Sequence, residues 1–317
     1  MAHMQAEHCI PAAPPSVLRS LNQLAHRLDR SLTTLGDGSN AEAELRAIAE
    51  GVADAVSQSR DVALASIYLN QIAGLYAVRH CVEAAIVCCV LARAMGSPRP
   101  AIVRVAAAAL TMNAGMVRIS EVFQLKNHVL SDEERSAVRR HPAESADLLR
   151  RAGIVDEDWI QFVLMHHEID NGSGYPAGLG AHEIPDGARL VGVADRYCAL
   201  VSARNYRRSM LPPVAARKLS VECGDGRMAA LFLHEIGQHP PGTLVRLQNG
   251  DVGVVVSRGD GGEACVHALR DDAGKPVGPP PLRSTRNAQH GIAAAVHEDD
   301  AGLRFSMREV WGDAAAV

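Results

Sequence analysis

Leu18, Leu21, Leu24 and Leu28 recur at three- and four-residue spacings, which puts them on one helical face. This predicts helical structure over 18–58, broken at Gly36-Asp37-Gly38, after a loose proline-containing tail over 1–17. From 61 to 95 nearly every position is apolar or small, so the helices there are expected to be buried on several sides. Gly96, Pro98 and Pro100 mark a turn before a small-residue helix over 101–110. Ser131 with Glu134 reads as a capping box, and Gly153 stands where a C-terminal cap belongs. A further helix is predicted from Asp156 to His166-His167-Glu168. A loop over 170–180 with four glycines and Pro176 follows, then a long helix after Pro185 that carries Asp195.

Past His239 the period changes. Pro240-Pro241-Gly242 ends the helical pattern, and alternating runs at 243–247 and 252–257 flank Asn249-Gly250, a strong hairpin signal. Two more strands are expected at 263–270 and 291–298. The fold class is therefore mainly α: a helical bundle with a small β-rich appendage at the C-terminal end. The expected division is a tail over 1–17, an N-terminal helical region over 18–65, the main helical domain over 66–238, and a β-rich domain over 240–310.

Composition narrows the class of function. The chain of 317 residues is 47% hydrophobic and 21% charged with a net charge of -4, so no basic surface for a nucleic-acid polymer is indicated. Lysine occurs only at Lys126, Lys218 and Lys275, so arginine supplies almost all the cations. The seven cysteines include no C-x-x-C pair and lie mostly in apolar helical runs, as expected of reduced, buried thiols in a cytoplasmic protein. No run of some 18 apolar residues suggests a membrane span, and the N-terminal stretch has no secretory pattern.

The chemistry-bearing residues centre on His166-His167. Adjacent histidines on a helix point about 100° apart, so a shared metal requires a helix end or two metals, and a purely structural pair is the alternative. Behind them lies Asn171-Gly172-Ser173-Gly174-Tyr175-Pro176. Upstream are Arg79-His80, the run at 130–135, and His141-Pro142; downstream are Ile184-Pro185, the run at 194–200, and Arg204-Asn205-Tyr206-Arg207. In order and spacing these motifs resemble the HD-GYP family, the cyclic-di-GMP phosphodiesterase type of the HD-domain fold, over about residues 70–240.

The resemblance implies an HD-GYP-type helical bundle whose histidines and aspartates hold divalent metals. It assigns metal-ligand positions to His80, His141, His166, His167 and Asp195. It also implies nucleotide contacts from Tyr175, Arg204 and Arg207, and an interaction loop at Gly174, Tyr175 and Pro176. Where the family has His-Asp and then lysine, this chain has Met112, Asn113 and Met116, and no His-Asp dipeptide occurs elsewhere. Asparagine cannot supply a bridging negative charge, and a thioether is a poor ligand for a hard divalent ion. The expected cofactor is one divalent metal, iron, manganese or zinc, on His141, His166 and His167; the alternative is none, with His80, His141 and Asp195 making only hydrogen bonds inside the bundle.

Three functions stay open. One is a catalytically impaired or inactive scaffold or regulatory module in cyclic-di-GMP signalling, with diguanylate cyclase-type proteins as partners. Another is a sensor that binds cyclic-di-GMP or a related phosphate ligand without cleaving it. The third is a metal-dependent phosphodiesterase with a rebuilt site. The oligomeric state, a homodimer included, is not fixed by the sequence.

Overall fold

A computed structural model describes residues 15–37, 40–117, 131–202, 208–222, 226–259 and 261–317. Helix α1 (Val17–Thr34) opens at Ser16, whose side chain accepts a hydrogen bond from the Arg19 amide, and buries Leu18, Leu21, Leu24 and Leu28. Helices α2 (Glu42–Gln58) and α3 (Arg60–Tyr68) are separated by Ser59, which caps α3 through its side chain.

The centre of the bundle is α4 (Tyr76–Ala94), buried at every residue from His80 to Ala92. The largely apolar run over 61–95 therefore marks helices that are mostly surrounded by others. Helix α5 (Arg99–Thr111) crosses it, and four consecutive buried alanines, Ala106 to Ala109, let the two backbones approach closely. Helix α6 (Asp132–Arg151) begins with the expected Ser131–Glu134 capping box. It ends before Gly153, which has a positive φ of 82°.

Helices α7 (Glu157–Met165) and α8 (Asp186–Val201) pack on this centre, with α9 (Pro212–Glu222) and α10 (Gly226–Glu235) beyond them. One hydrophobic core takes in residues from Val17 to Ile236 together with Met307 and Ala315, so it continues across the expected division near residue 65. Among the described residues no helix is long and apolar enough to cross a membrane.

The appendage is a five-stranded antiparallel sheet in the order β4-β3-β2-β1-β5. Its strands are β1 (Leu244–Leu247), β2 (Val252–Arg258), β3 (Ala264–Arg270), β4 (Leu282–Ser284) and β5 (Ile292–Ala295). The expected hairpin forms, with Leu244 opposite Val254 and Gly250 at φ 90° in the turn. Strand β4 went unforeseen because it has only three residues and follows a run of prolines. Strand β5 is shorter than the 291–298 expected, since His297 already serves as the N-cap of α11 (Glu298–Ala301).

After α12 (Met307–Trp311), whose Trp311 indole donates to the Val256 carbonyl at 3.0 Å, the chain returns to α1. There the Ser16 hydroxyl donates to the Ala314 carbonyl at 3.1 Å and Arg19 donates to the Val317 carbonyl at 2.9 Å.

Candidate metal centre

The site starts from a proline. Pro142 lies inside α6 and has no N–H to give the carbonyl four residues earlier, so the Val138 carbonyl is left over. His141 takes it: its Nδ1 is 2.6 Å from that oxygen. The same device recurs at the end of α7, where the last four carbonyls lack helical partners. There His166, the C-cap residue, places Nδ1 2.6 Å from the Val163 carbonyl. A carbonyl only accepts, so each Nδ1 carries the hydrogen and each Nε2 keeps its lone pair.

Those two lone-pair nitrogens face each other at 3.2 Å. His141 is 2% exposed and His166 fully buried, so water does not separate them. Facing lone pairs repel unless a cation lies between them. A proton is disfavoured: burial pushes His141 below its ordinary value and, helped by His141, pushes His166 down to about 4. Burial, with His166 next, also holds His167 well below its ordinary value. Ligand atoms of all three imidazoles lie within 4.8 Å of one another. Neighbouring ligands on one metal stand roughly 3 to 3.5 Å apart at the usual metal–nitrogen distances, so the donor set suits a single divalent ion.

Asp195 and His80 form a second group beside the first. His80 donates from Nε2 to the Asp195 carboxylate at 2.8 Å, and the other carboxylate oxygen lies 3.9 Å from His167 Nδ1. Burial works to raise the proton affinity of Asp195. The His80 hydrogen bond, helped by the surrounding imidazoles, outweighs it and holds the carboxyl well below the usual range. Among the described residues His80 Nδ1, which is buried, has no hydrogen-bond partner, and the ring stacks on Tyr76 at 5.6 Å. Helix α8 comes this close because of Gly192, where a Cβ would stand 2.2 Å from the His166 carbonyl oxygen.

The departures from the family motif sit on the short turn after α5. Thr111, the last residue of α5, accepts from the Trp159 indole at 2.8 Å, and Met112 is fully buried in the core. Asn113 stands beside the Cys81 thiol, whose proton affinity burial pushes up to about 12. Met116 is half-buried on a 3-10 turn (Ala114–Met116). That turn is pinned to α6 where the Ser145 hydroxyl accepts from the Gly115 amide at 2.9 Å.

The glycine-rich loop is organised by Glu168, a role the sequence did not single out. Its carboxylate is 5% exposed and accepts from the amides of Ala177 at 2.7 Å, Gly178 at 3.2 Å and Leu179 at 2.9 Å. Gly174 passes so close to the histidine turn that a Cβ would stand 2.5 Å from Glu168 Cα. The Tyr175 ring then stacks on His167 at 4.6 Å, and a cis peptide joins it to the exposed Pro176. Arg204 and Arg207 lie outside the described residues.

The sequence matches the family described as HD domain over residues 45–228. It is 31% identical over 198 residues to the cyclic di-GMP phosphodiesterase PA4108 of Pseudomonas aeruginosa, covering 62% of this chain and 48% of that protein. It is 36% identical over 114 residues to the cyclic di-GMP phosphodiesterase response regulator RpfG of Xanthomonas campestris, covering 35% of this chain and 29% of that protein. The matches thus span less than half the length of these relatives. Among solved structures, the HDG"Y"P protein Bd1817 of Bdellovibrio bacteriovorus shares the fold, with a TM-score of 0.57 at 18% identity over 70% of this chain and 72% of that one. The chain therefore belongs to the HD domain family, as a member of its HD-GYP group.

Proposed function

We propose that the chain is a regulatory or scaffold module of cyclic-di-GMP signalling that holds one divalent metal and has little or no phosphodiesterase activity. His141, His166 and His167 would hold the metal, with iron, manganese and zinc all suited to a set of neutral imidazoles. When bound, such an ion supplies Lewis acidity and lowers the pKa of a coordinated water.

The observation that carries the reading is the position of Asn113. Where the resemblance implies a carboxylate shared between two metals, this chain has the neutral amide of Asn113 beside the buried Cys81 thiol. Met112 beside it is packed in the core, and Asp195 is engaged by His80. The chain's own residues thus build one complete imidazole set and leave the neighbouring position without its charge. The scaffold role falls to the loop at Gly174, Tyr175 and Pro176, with Pro176 exposed at its tip and Glu168 fixing the next residues, Ala177 to Leu179, for a diguanylate cyclase-type partner.

The test is metal content and cyclic-di-GMP turnover, measured together on anaerobically purified protein supplied with iron or manganese. One metal per chain without turnover supports the reading. Two metals per chain with turnover overturns it and makes the chain a phosphodiesterase with a rebuilt site.

A further inference from the structure

Two guanidinium groups flank the imidazole cluster and have no part in holding a metal. Arg139 lies on α6 two residues before His141, with its Cζ 4.9 Å from the centroid of the Tyr175 ring. That ring is itself stacked on His167. Arg196 follows Asp195 on α8, and its Nε is buried with no hydrogen-bond partner. It lies within the electrostatic reach of His166, His167 and Tyr175.

Among the described residues neither arginine has an ion pair, although this protein pairs its arginines freely elsewhere. Arg27 meets Glu44 at 2.9 Å, Arg104 meets Asp156 at 3.0 Å, and Arg189 meets Asp170 at 3.0 Å. Two unpaired cations beside a centre suited to a third repel one another, and an anion bound among them removes that cost. A guanidinium offers a planar fork that matches two phosphate oxygens.

We infer that Arg139 and Arg196 clamp the phosphodiester of a nucleotide ligand across the Tyr175–His167 stack, supplying the positive charge that Met116 does not. This rests on the reading of the site as one that takes a phosphate-bearing nucleotide. The arginines approach from α6 and α8, whereas Met116 stands on the turn after α5, so the cation is relocated and not replaced in position.

Calorimetric titration of the metal-supplied full chain with cyclic-di-GMP, and separately with inorganic phosphate, tests the inference. Wild type is expected to bind cyclic-di-GMP more tightly than phosphate. Arg139→Gln and Arg196→Gln are each expected to weaken cyclic-di-GMP at least tenfold with metal content unchanged, and added salt is expected to weaken wild type more than either variant. Arg139 is exposed, so its variant decides the matter if Arg196→Gln lowers the melting temperature. Unchanged affinity in both variants, or no binding of either probe to wild type, overturns the clamp. One metal per chain with insensitive arginines removes the clamp and leaves the proposed function standing. Arginine-dependent binding without any metal does the reverse.

Discussion

His141 and His166 meet Nε2 to Nε2 at 3.2 Å, each having given its Nδ1 hydrogen to a carbonyl that its own helix leaves unpaired. The tautomers are thus set by local backbone features, Pro142 in one helix and the end of the other, before the two helices meet. A pair so fixed cannot satisfy itself by a neutral hydrogen bond, which is why its geometry points outward to an ion.

Removing either imidazole should release the metal. His141→Ala and His166→Ala are each expected to bring metal content, read by elemental analysis after dialysis, from about one per chain towards none. Retention of a full equivalent in both variants would falsify the three-imidazole assignment.

Restoring the missing pair should restore chemistry only when both members return. Met112→His alone leaves the neutral amide at Asn113 and is expected to give no cyclic-di-GMP turnover. Met112→His combined with Asn113→Asp supplies ligand and charge together, and measurable turnover with iron or manganese is expected.

Stability of the metal-free protein should fall with acidity. The folded value of His166, about 4, lies below the ordinary 6.5, so unfolding takes up a proton as the pH drops between them. Its contribution is fully present above about 6.5 and lost towards 4, which amounts to about 3 kcal/mol at the acid end. Urea unfolding of chelator-treated protein at pH 7.5, 6 and 5 is the measurement, and His166→Gln should flatten the profile.

Gly174→Ala places a methyl group where Glu168 Cα and the Ile169 amide stand 2.5 Å away. Backbone cannot yield as a side-chain tip can, so a loss of about 1–3 kcal/mol in denaturant unfolding is expected.

Glu168→Gln keeps the shape but removes the charge that receives three loop amides. Charge-assisted bonds of this kind contribute about 1.5–3 kcal/mol each, so faster hydrogen exchange at Ala177, Gly178 and Leu179 is expected, with little change at α4.

Much of this arrangement is legible in the chain. The period of Leu18, Leu21, Leu24 and Leu28, the Ser131–Glu134 box and the Asn249-Gly250 hairpin are local signals, and the structure realises each of them. The grouping of His141 with His166 and His167, and of His80 with Asp195, was legible only through the family resemblance, because residues 115 positions apart carry no local mark of meeting. What stayed hidden depends on tertiary placement. Glu168 reads as one more acidic residue until the loop folds back over it. Nothing in sequence tells Arg139 above Tyr175 from the ion-paired arginines on other helices.

Glu168 directly follows the two histidines, and its carboxylate is the hub on which the loop hangs. The backbone of His166-His167 and the loop residues Ala177 to Leu179 are therefore joined through a single side chain, so any movement of the one would reach the other without passing through another helix.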